Sequence, residues 1–277
     1  MREYIHNAFS CILKLETHMF IDTHTHIYVK QFDKDREEML NRAIDQGVET
    51  FFMPNIDLDS IESMLNLEGK HPNRCHAMMG LHPCSVGEDF EAVLSTMRAY
   101  IDKRSFAAIG EIGIDLYWEK KYFSQQEMAF RQQIEWAKEF DVPIVIHCRD
   151  ATPEVLRILA DCKDEKLRGI FHCFGGSEAE AKQIIDLGFL LGIGGVLTFK
   201  KSGLDNTLKD IDLAHIVLET DSPYLAPVPY RGKRNESGYL RLVAEKLSEV
   251  KGVSIEQIGQ ITSENARRIF QMEQKKA

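Results

Sequence analysis

Short apolar runs alternate with amphipathic stretches along this chain, and the alternation repeats eight times. The apolar runs predict strands at residues 19–22, 50–53, 75–81, 105–110, 143–146, 169–171, 189–193 and 215–218. Between them, apolar residues recur at helical spacing. Met39, Leu40, Ala43 and Ile44 share one face of a helix at 35–46 that Gly47 stops, and Ile61, Met64 and Leu65 share one face at 58–67. Further helices are expected at 90–101, 124–140, 153–160, 177–187 and, shorter, 203–210. The long one has Met128, Ile134 and Ala137 among its apolar positions and opens on the spacing Ser124-x-x-Glu127, a capping box. Two more helices, near 239–250 and 264–271, close the chain.

Continuous apolar strands alternating with helices imply a parallel sheet covered by helices. Eight such units fit a closed (β/α)8 TIM barrel with extra C-terminal helices, and no glycine-rich nucleotide fingerprint follows the first strand to argue for an open sheet. No linker, charge block or repeat marks an internal boundary. Residues 19–277 are therefore expected to form one barrel domain. Residues 1–18 read as an N-terminal extension outside the fold, with Met19 directly before the first strand.

Composition adds limits rather than a function. An apolar fraction of 44% suits a substantial core, and a net charge of −9 argues against a surface that coats nucleic acid. A local basic patch remains compatible with that balance. Six cysteines without a C-x-x-C pair read as reduced thiols of a cytoplasmic protein. The longest apolar run, 188–199, is too short and glycine-rich to span a membrane. No obligate protein partner is evident.

The candidate chemistry lies where a barrel puts its active site, at the C-terminal ends of the strands. His24 and His26 follow the first strand, and their i, i+2 spacing points both the same way. His82 follows the third strand, Glu111 the fourth, His147 the fifth, His172 the sixth and Asp221 the eighth. Each has a plain structural alternative: a hydrogen-bonded core histidine, an ion-paired glutamate, an Asx-turn before Ser222-Pro223. Together on one rim they would repel and desolvate one another without cations. Four histidines and two carboxylates, His24, His26, Glu111, His147, His172 and Asp221, suit a pair of divalent ions with one carboxylate shared. The mixed N/O set permits Mg2+, Mn2+, Zn2+ or iron.

The motifs that carry these residues resemble one family. His-x-His after the first strand, Gly-Leu-His-Pro at 80–83, Gly-Glu-Ile-Gly-Ile-Asp at 110–115, Pro-Ile-Val-Ile-His-Cys-Arg-Asp-Ala at 143–151, His-Cys-Phe-Gly-Gly at 172–176, Leu-Glu-Thr-Asp-Ser-Pro-Tyr-Leu at 218–225 and Arg-Gly-Lys-Arg-Asn-Glu at 231–236 resemble the TatD-type metal-dependent deoxyribonucleases. The resemblance runs from Met19 to Phe270. It implies a phosphodiester hydrolase of the amidohydrolase-like barrel group acting on DNA, as an exonuclease on single-stranded ends. It also implies that His24, His26, Glu111 and Asp221 hold one metal and Glu111, His147 and His172 the second, with Glu111 as the bridge.

Asp221 and Glu111 are then the catalytic residues, with Asp221 orienting or deprotonating the attacking water. Candidate substrate contacts are His82, Arg149 and the basic cluster Arg231, Lys233 and Arg234, while Asp115 would orient a histidine or cap a loop. The chain departs from the family pattern in having Ser237-Gly238 after Asn235-Glu236, where proline is common, and Leu116-Tyr117-Trp118 after the fourth strand. Both bear on substrate preference. The same metal centre would also serve a small-molecule amidohydrolase, lactonase or deaminase, and a scaffolding barrel would hold no metal.

Overall fold

The computed structural model describes residues 20–118 and 120–272. The expected extension at residues 1–18, and Met19 with it, lie outside the described residues. In chain order the elements are β1 (Phe20–Asp22), α1 (Arg36–Asp45), β2 (Val48–Pro54), α2 (Leu58–Lys70), β3 (Cys75–Met78), α3 (Phe90–Ile101), β4 (Ile109–Asp115) and α4 (Phe123–Phe140). They continue as β5 (Ile144–Arg149), α5 (Thr152–Asp161), β6 (Gly169–Phe171), α6 (Glu178–Asp186), β7 (Phe189–Ile193), α7 (Leu204–Leu208), β8 (Ile216–Leu218), α8 (Leu240–Lys251) and α9 (Ile255–Ile269).

Paired neighbouring strands are parallel. Hydrogen-bond ladders join β1 to β3 in one sheet and β4 to β8 in another. Isolated bridges span both seams, Met79 to Ile109 and Thr25 to Ser222. Across the second seam, the Thr23 amide also donates to Leu218 O at 3.1 Å. The expected (β/α)8 barrel is the fold.

Two apolar layers hold it. Inside the barrel, Ile21, Phe52, Met78, Ala108, Val145, Ile170, Leu190 and Val217 supply one residue per strand or, for Ala108, from just before it. The last helix closes this layer at the N-terminal end: Ala266, Ile269 and Phe270 join it, and Phe270 stacks on Phe52 with ring centres 3.6 Å apart. The larger layer lies between strands and helices. Burying each such side chain contributes roughly 1.5–3 kcal/mol. No helix among the described residues is long and apolar enough to cross a membrane.

Two local expectations are corrected. The capping box at Ser124 does not form, because α4 starts one residue earlier and Tyr122 caps it without a side-chain bond. Glu127 instead accepts from Arg131 and Arg157. Met128 is exposed, and the buried face of α4 carries Gln126 and Gln133. These glutamines accept the Asp115 and Leu81 amides at 2.9 and 2.7 Å, backbone donors that would otherwise be unpaired where the strands end. Lastly, α9 begins at Ile255 rather than near 264, opened by a reciprocal capping box between Ser254 and Gln257.

Candidate metal centre

The strand ends converge as the barrel requires. Thr23 to His26 continue from β1 and are fully buried. Glu111 lies inside β4 rather than at its end, because β4 begins only where Ile109 meets Ile144 and runs on to Asp115. His147 sits within β5, His172 just after β6 and Asp221 just after β8. The backbone turns left-handed at or within three residues of these positions, at Asp150, Cys173 and Asp221, with φ of 53°, 49° and 55°. A non-glycine residue there costs about 1 kcal/mol, and such turns are found where a side chain must be aimed.

Glu111 is the hub. Its Oε2 lies 3.2 Å from His24 Nε2 and 3.5 Å from His26 Nε2. Its Oε1 lies 2.9 Å from His147 Nδ1 and 3.2 Å from His172 Nε2. Asp221 Oδ1 stands 3.6 Å from His26 Nε2 and 3.8 Å from His24 Nε2. All six expected ligands are thus brought together.

Outer partners set the imidazole tautomers. Tyr28 donates its hydroxyl proton to Pro54 O at 2.6 Å, so its oxygen accepts from His26 Nδ1 at 3.0 Å and leaves a lone pair on Nε2. Asp115 Oδ2 accepts from His147 Nε2 at 2.9 Å, which leaves the lone pair on Nδ1. Glu219 Oε1 accepts from His172 Nδ1 at 3.2 Å and from the Cys173 amide at 2.7 Å. Tyr28, Glu219 and Asp22 were missed in the sequence. The first two sit two residues from His26 and Asp221, so alternation along an extended chain was the available sign. Asp22, which accepts from the Thr220 amide and hydroxyl at 3.0 and 2.6 Å, ties the ends of β1 and β8 together.

The charge balance in this cavity is unfinished. Burial opposes charge on Glu111, but His172, His82 and His24 outweigh it and hold the carboxyl well below its usual range. Burial pushes Asp221 up to about 6. Burial, with His172 beside it, pushes His24 well below the usual histidine range. Burial also opposes a proton on His172, yet Glu111 and Glu219 hold that imidazole well above the range. His24 and His172 stack face to face at 3.8 Å, so protons on both would repel. The Nε2 atoms of His24 and His26 stand 3.3 Å apart, and His24 Nδ1 is buried with no partner. Imidazole nitrogens and carboxylate oxygens facing one another at such distances fit divalent cations, which would offset the repulsion among them.

His82 joins the cluster differently. Its Nδ1 accepts the Cys84 amide at 3.1 Å, so the neutral ring carries its proton on Nε2, 3.4 Å from Glu111 Oε1 and 3.2 Å from His147 Nδ1. Burial keeps this imidazole below its ordinary value and so neutral. It presents a donor, not a lone pair.

The basic candidates scatter. Arg149 lies at the rim, its guanidinium 4.1 Å from the Tyr117 ring centre. Arg231 donates to Ala226 O at 3.0 Å and covers Phe199, and Lys233 is exposed. Arg234 does not fit its expected role: both terminal nitrogens bind Asp35 at 2.7 Å, and Nη1 also donates to Gln31 O at 2.8 Å. Its fork braces the loop after β8 against the start of α1. Arg234→Ala is accordingly expected to lower stability by about 1 kcal/mol while leaving metal affinity unchanged, as denaturant titration and competition with a chelating dye would read.

Asp115 plays both of its expected parts. While Oδ2 holds His147, Oδ1 accepts the amides of Tyr117 and Trp118 at 2.9 and 2.7 Å. Asp115→Asn would turn a donor toward His147, and metal affinity or activity should fall roughly 10–100-fold, measured by competition with a chelating dye.

Comparison with known proteins agrees with this geometry. A family model described as TatD-related DNase matches residues 21–271. The chain is 37% identical over 255 residues to the uncharacterized metal-dependent hydrolase YabD of Bacillus subtilis (strain 168), covering 92% of this chain and all of that one. It is 32% identical over 248 residues to the 3'-5' ssDNA/RNA exonuclease TatD of Yersinia pseudotuberculosis, covering 87% of this chain and 95% of the relative. The crystal structure of YjjV, a TatD homologue from Escherichia coli K12, superposes with a TM-score of 0.87 at 26% identity, over 93% of this chain and all of that one. With its strand-end histidines and carboxylates gathered around Glu111, the chain belongs to the TatD-related DNase family and is a metal-dependent hydrolase of that type.

Proposed function

We propose that the protein is a nuclease that removes nucleotides from single-stranded ends of DNA, and of RNA, using two divalent metal ions that share Glu111. One observation carries this reading: the two oxygens of Glu111 face different histidine sets, Oε2 toward His24 and His26 and Oε1 toward His147 and His172. Asp221 completes the first set. Divalent cations in these positions supply neutralisation of phosphate charge and acidification of water.

The chain's own residues do the remainder. Asp221, beside His24 and His26, would accept the proton of the attacking water. His82, with its proton fixed on Nε2, donates a hydrogen bond to a phosphate or leaving oxygen. Asp115, Glu219 and Tyr28 hold the histidine tautomers that point lone pairs inward. The relatives named as exonucleases support nucleic acid as substrate and attack from the 3' end. The free thiols of Cys75, Cys84, Cys148, Cys162 and Cys173 support a reducing, cytoplasmic setting.

The test is digestion of a 5'-labelled single-stranded oligonucleotide by protein loaded with Mg2+, Mn2+ or Zn2+. Stepwise shortening from the 3' end is expected, abolished by chelator and restored by metal. DNA and RNA left intact while a lactone or amide panel is hydrolysed would overturn the nuclease reading.

A further inference from the structure

We propose that Tyr117 and Trp118 form a stacking platform for an unpaired base of the substrate strand beside the metal centre. This rests on the nuclease reading and specifies how that site prefers single strands. Trp118 is 68% exposed and Tyr117 is 51% exposed, so neither packs the barrel. Their rings meet edge to face with centres 4.7 Å apart, and Arg149 covers Tyr117 at 4.1 Å. Two large aromatic surfaces are therefore held in fixed orientation yet open to solvent, a costly arrangement without a ligand.

The pair is also tied to the site. Asp115 accepts the Tyr117 and Trp118 amides on one oxygen and His147 on the other. His147 in turn lies 2.9 Å from Glu111. The aromatic turn and the candidate ligands thus share one carboxylate, which fixes where the platform stands relative to His147. Arg149, which packs on the Tyr117 ring, also lines a cleft of about 440 Å3 that reaches His172, so the platform's cation borders the same cleft as a candidate ligand. A base offers a π-face whatever its identity, while a paired base in a duplex has both faces occupied, so stacking here selects unpaired strands without reading sequence.

Two readouts test this in the metal-loaded enzyme. Trp118→Ala is expected to raise KM for a single-stranded oligonucleotide about tenfold, with kcat within about twofold and hydrolysis of methyl p-nitrophenyl phosphate unchanged. Trp118→Phe should restore most of the affinity. Trp118 is also one of only two tryptophans, the other being the buried Trp136. A chelated, non-cleaving mixture should therefore show fluorescence quenching by the oligonucleotide in the wild type and none in Trp118→Ala. Unchanged KM, equal loss on the small diester, or no quenching would overturn the platform. If no variant cleaves nucleic acid, the nuclease reading fails by itself, and the quenching titration still decides the platform.

Discussion

Replacing Glu111 by glutamine should lower kcat/KM on a single-stranded oligonucleotide by about three orders of magnitude, roughly 4 kcal/mol of transition-state stabilisation. The substitution keeps the side chain's volume, so the 3% exposed site stays filled and packing is not the variable. What changes is one oxygen, replaced by an amide nitrogen that cannot offer a lone pair. Whichever way the amide turns, it faces one histidine set with a donor, either His24 and His26 or His147 and His172. One cation position therefore loses its oxygen ligand outright, and both lose the carboxylate's negative charge. Plasma emission should find fewer than the wild-type number of metal ions per chain, even after reconstitution. A variant that keeps its full metal content and loses less than about tenfold in kcat/KM would refute the shared-carboxylate arrangement.

The reach of sequence reading here follows from what each feature depends on. The barrel was legible because parallel strands buried on both faces must be apolar runs, and those runs recur with helical stretches between them. The six candidate ligands were legible because polar residues stand out at the ends of such runs. Glu111 was nonetheless put one residue past its strand. Residues 105–110 read as the apolar run, yet β4 extends only where Ile109 finds Ile144, a partner chosen by the folded sheet. On α4 the apolar Met128 is exposed while the polar Gln126 and Gln133 are buried, because their side chains answer the backbone amides of Asp115 and Leu81. Arg234 shows the same limit. A basic cluster in the sequence reads as phosphate attraction, but Asp35, its partner, lies 199 positions away. The last helix reads as starting near residue 264, whereas the buried face of α9 runs from Ile258 through Thr262 and Ala266 to Ile269. What depends on local pattern was visible. What depends on who meets whom was not.

Gly113 shows how closely the site depends on backbone meeting backbone. It pairs with His147 in the β4–β5 register at φ +142°, and a Cβ built there would lie 2.0 Å from His147 O. Gly113→Ala therefore combines a backbone conformation that alanine rarely adopts with a collision against a main-chain oxygen that no side-chain rotation relieves. A loss of about 3–5 kcal/mol is expected, the sum of backbone strain and overpacking. Thermal unfolding should fall by roughly 10 °C for a chain of this size. Activity should fall further than the lost stability explains, even at temperatures where the variant stays folded. Any shift of β5 moves His147, which must keep 2.9 Å contacts with both Glu111 and Asp115. The control is Gly188→Ala, a left-handed position at φ +91° with nothing within 4 Å of the new carbon. It should cost only about 1 kcal/mol of backbone strain and leave kcat/KM unchanged. Equal stability of Gly113→Ala and the wild type would show that β4 and β5 can separate there, and would remove the reason for the close strand contact beside His147.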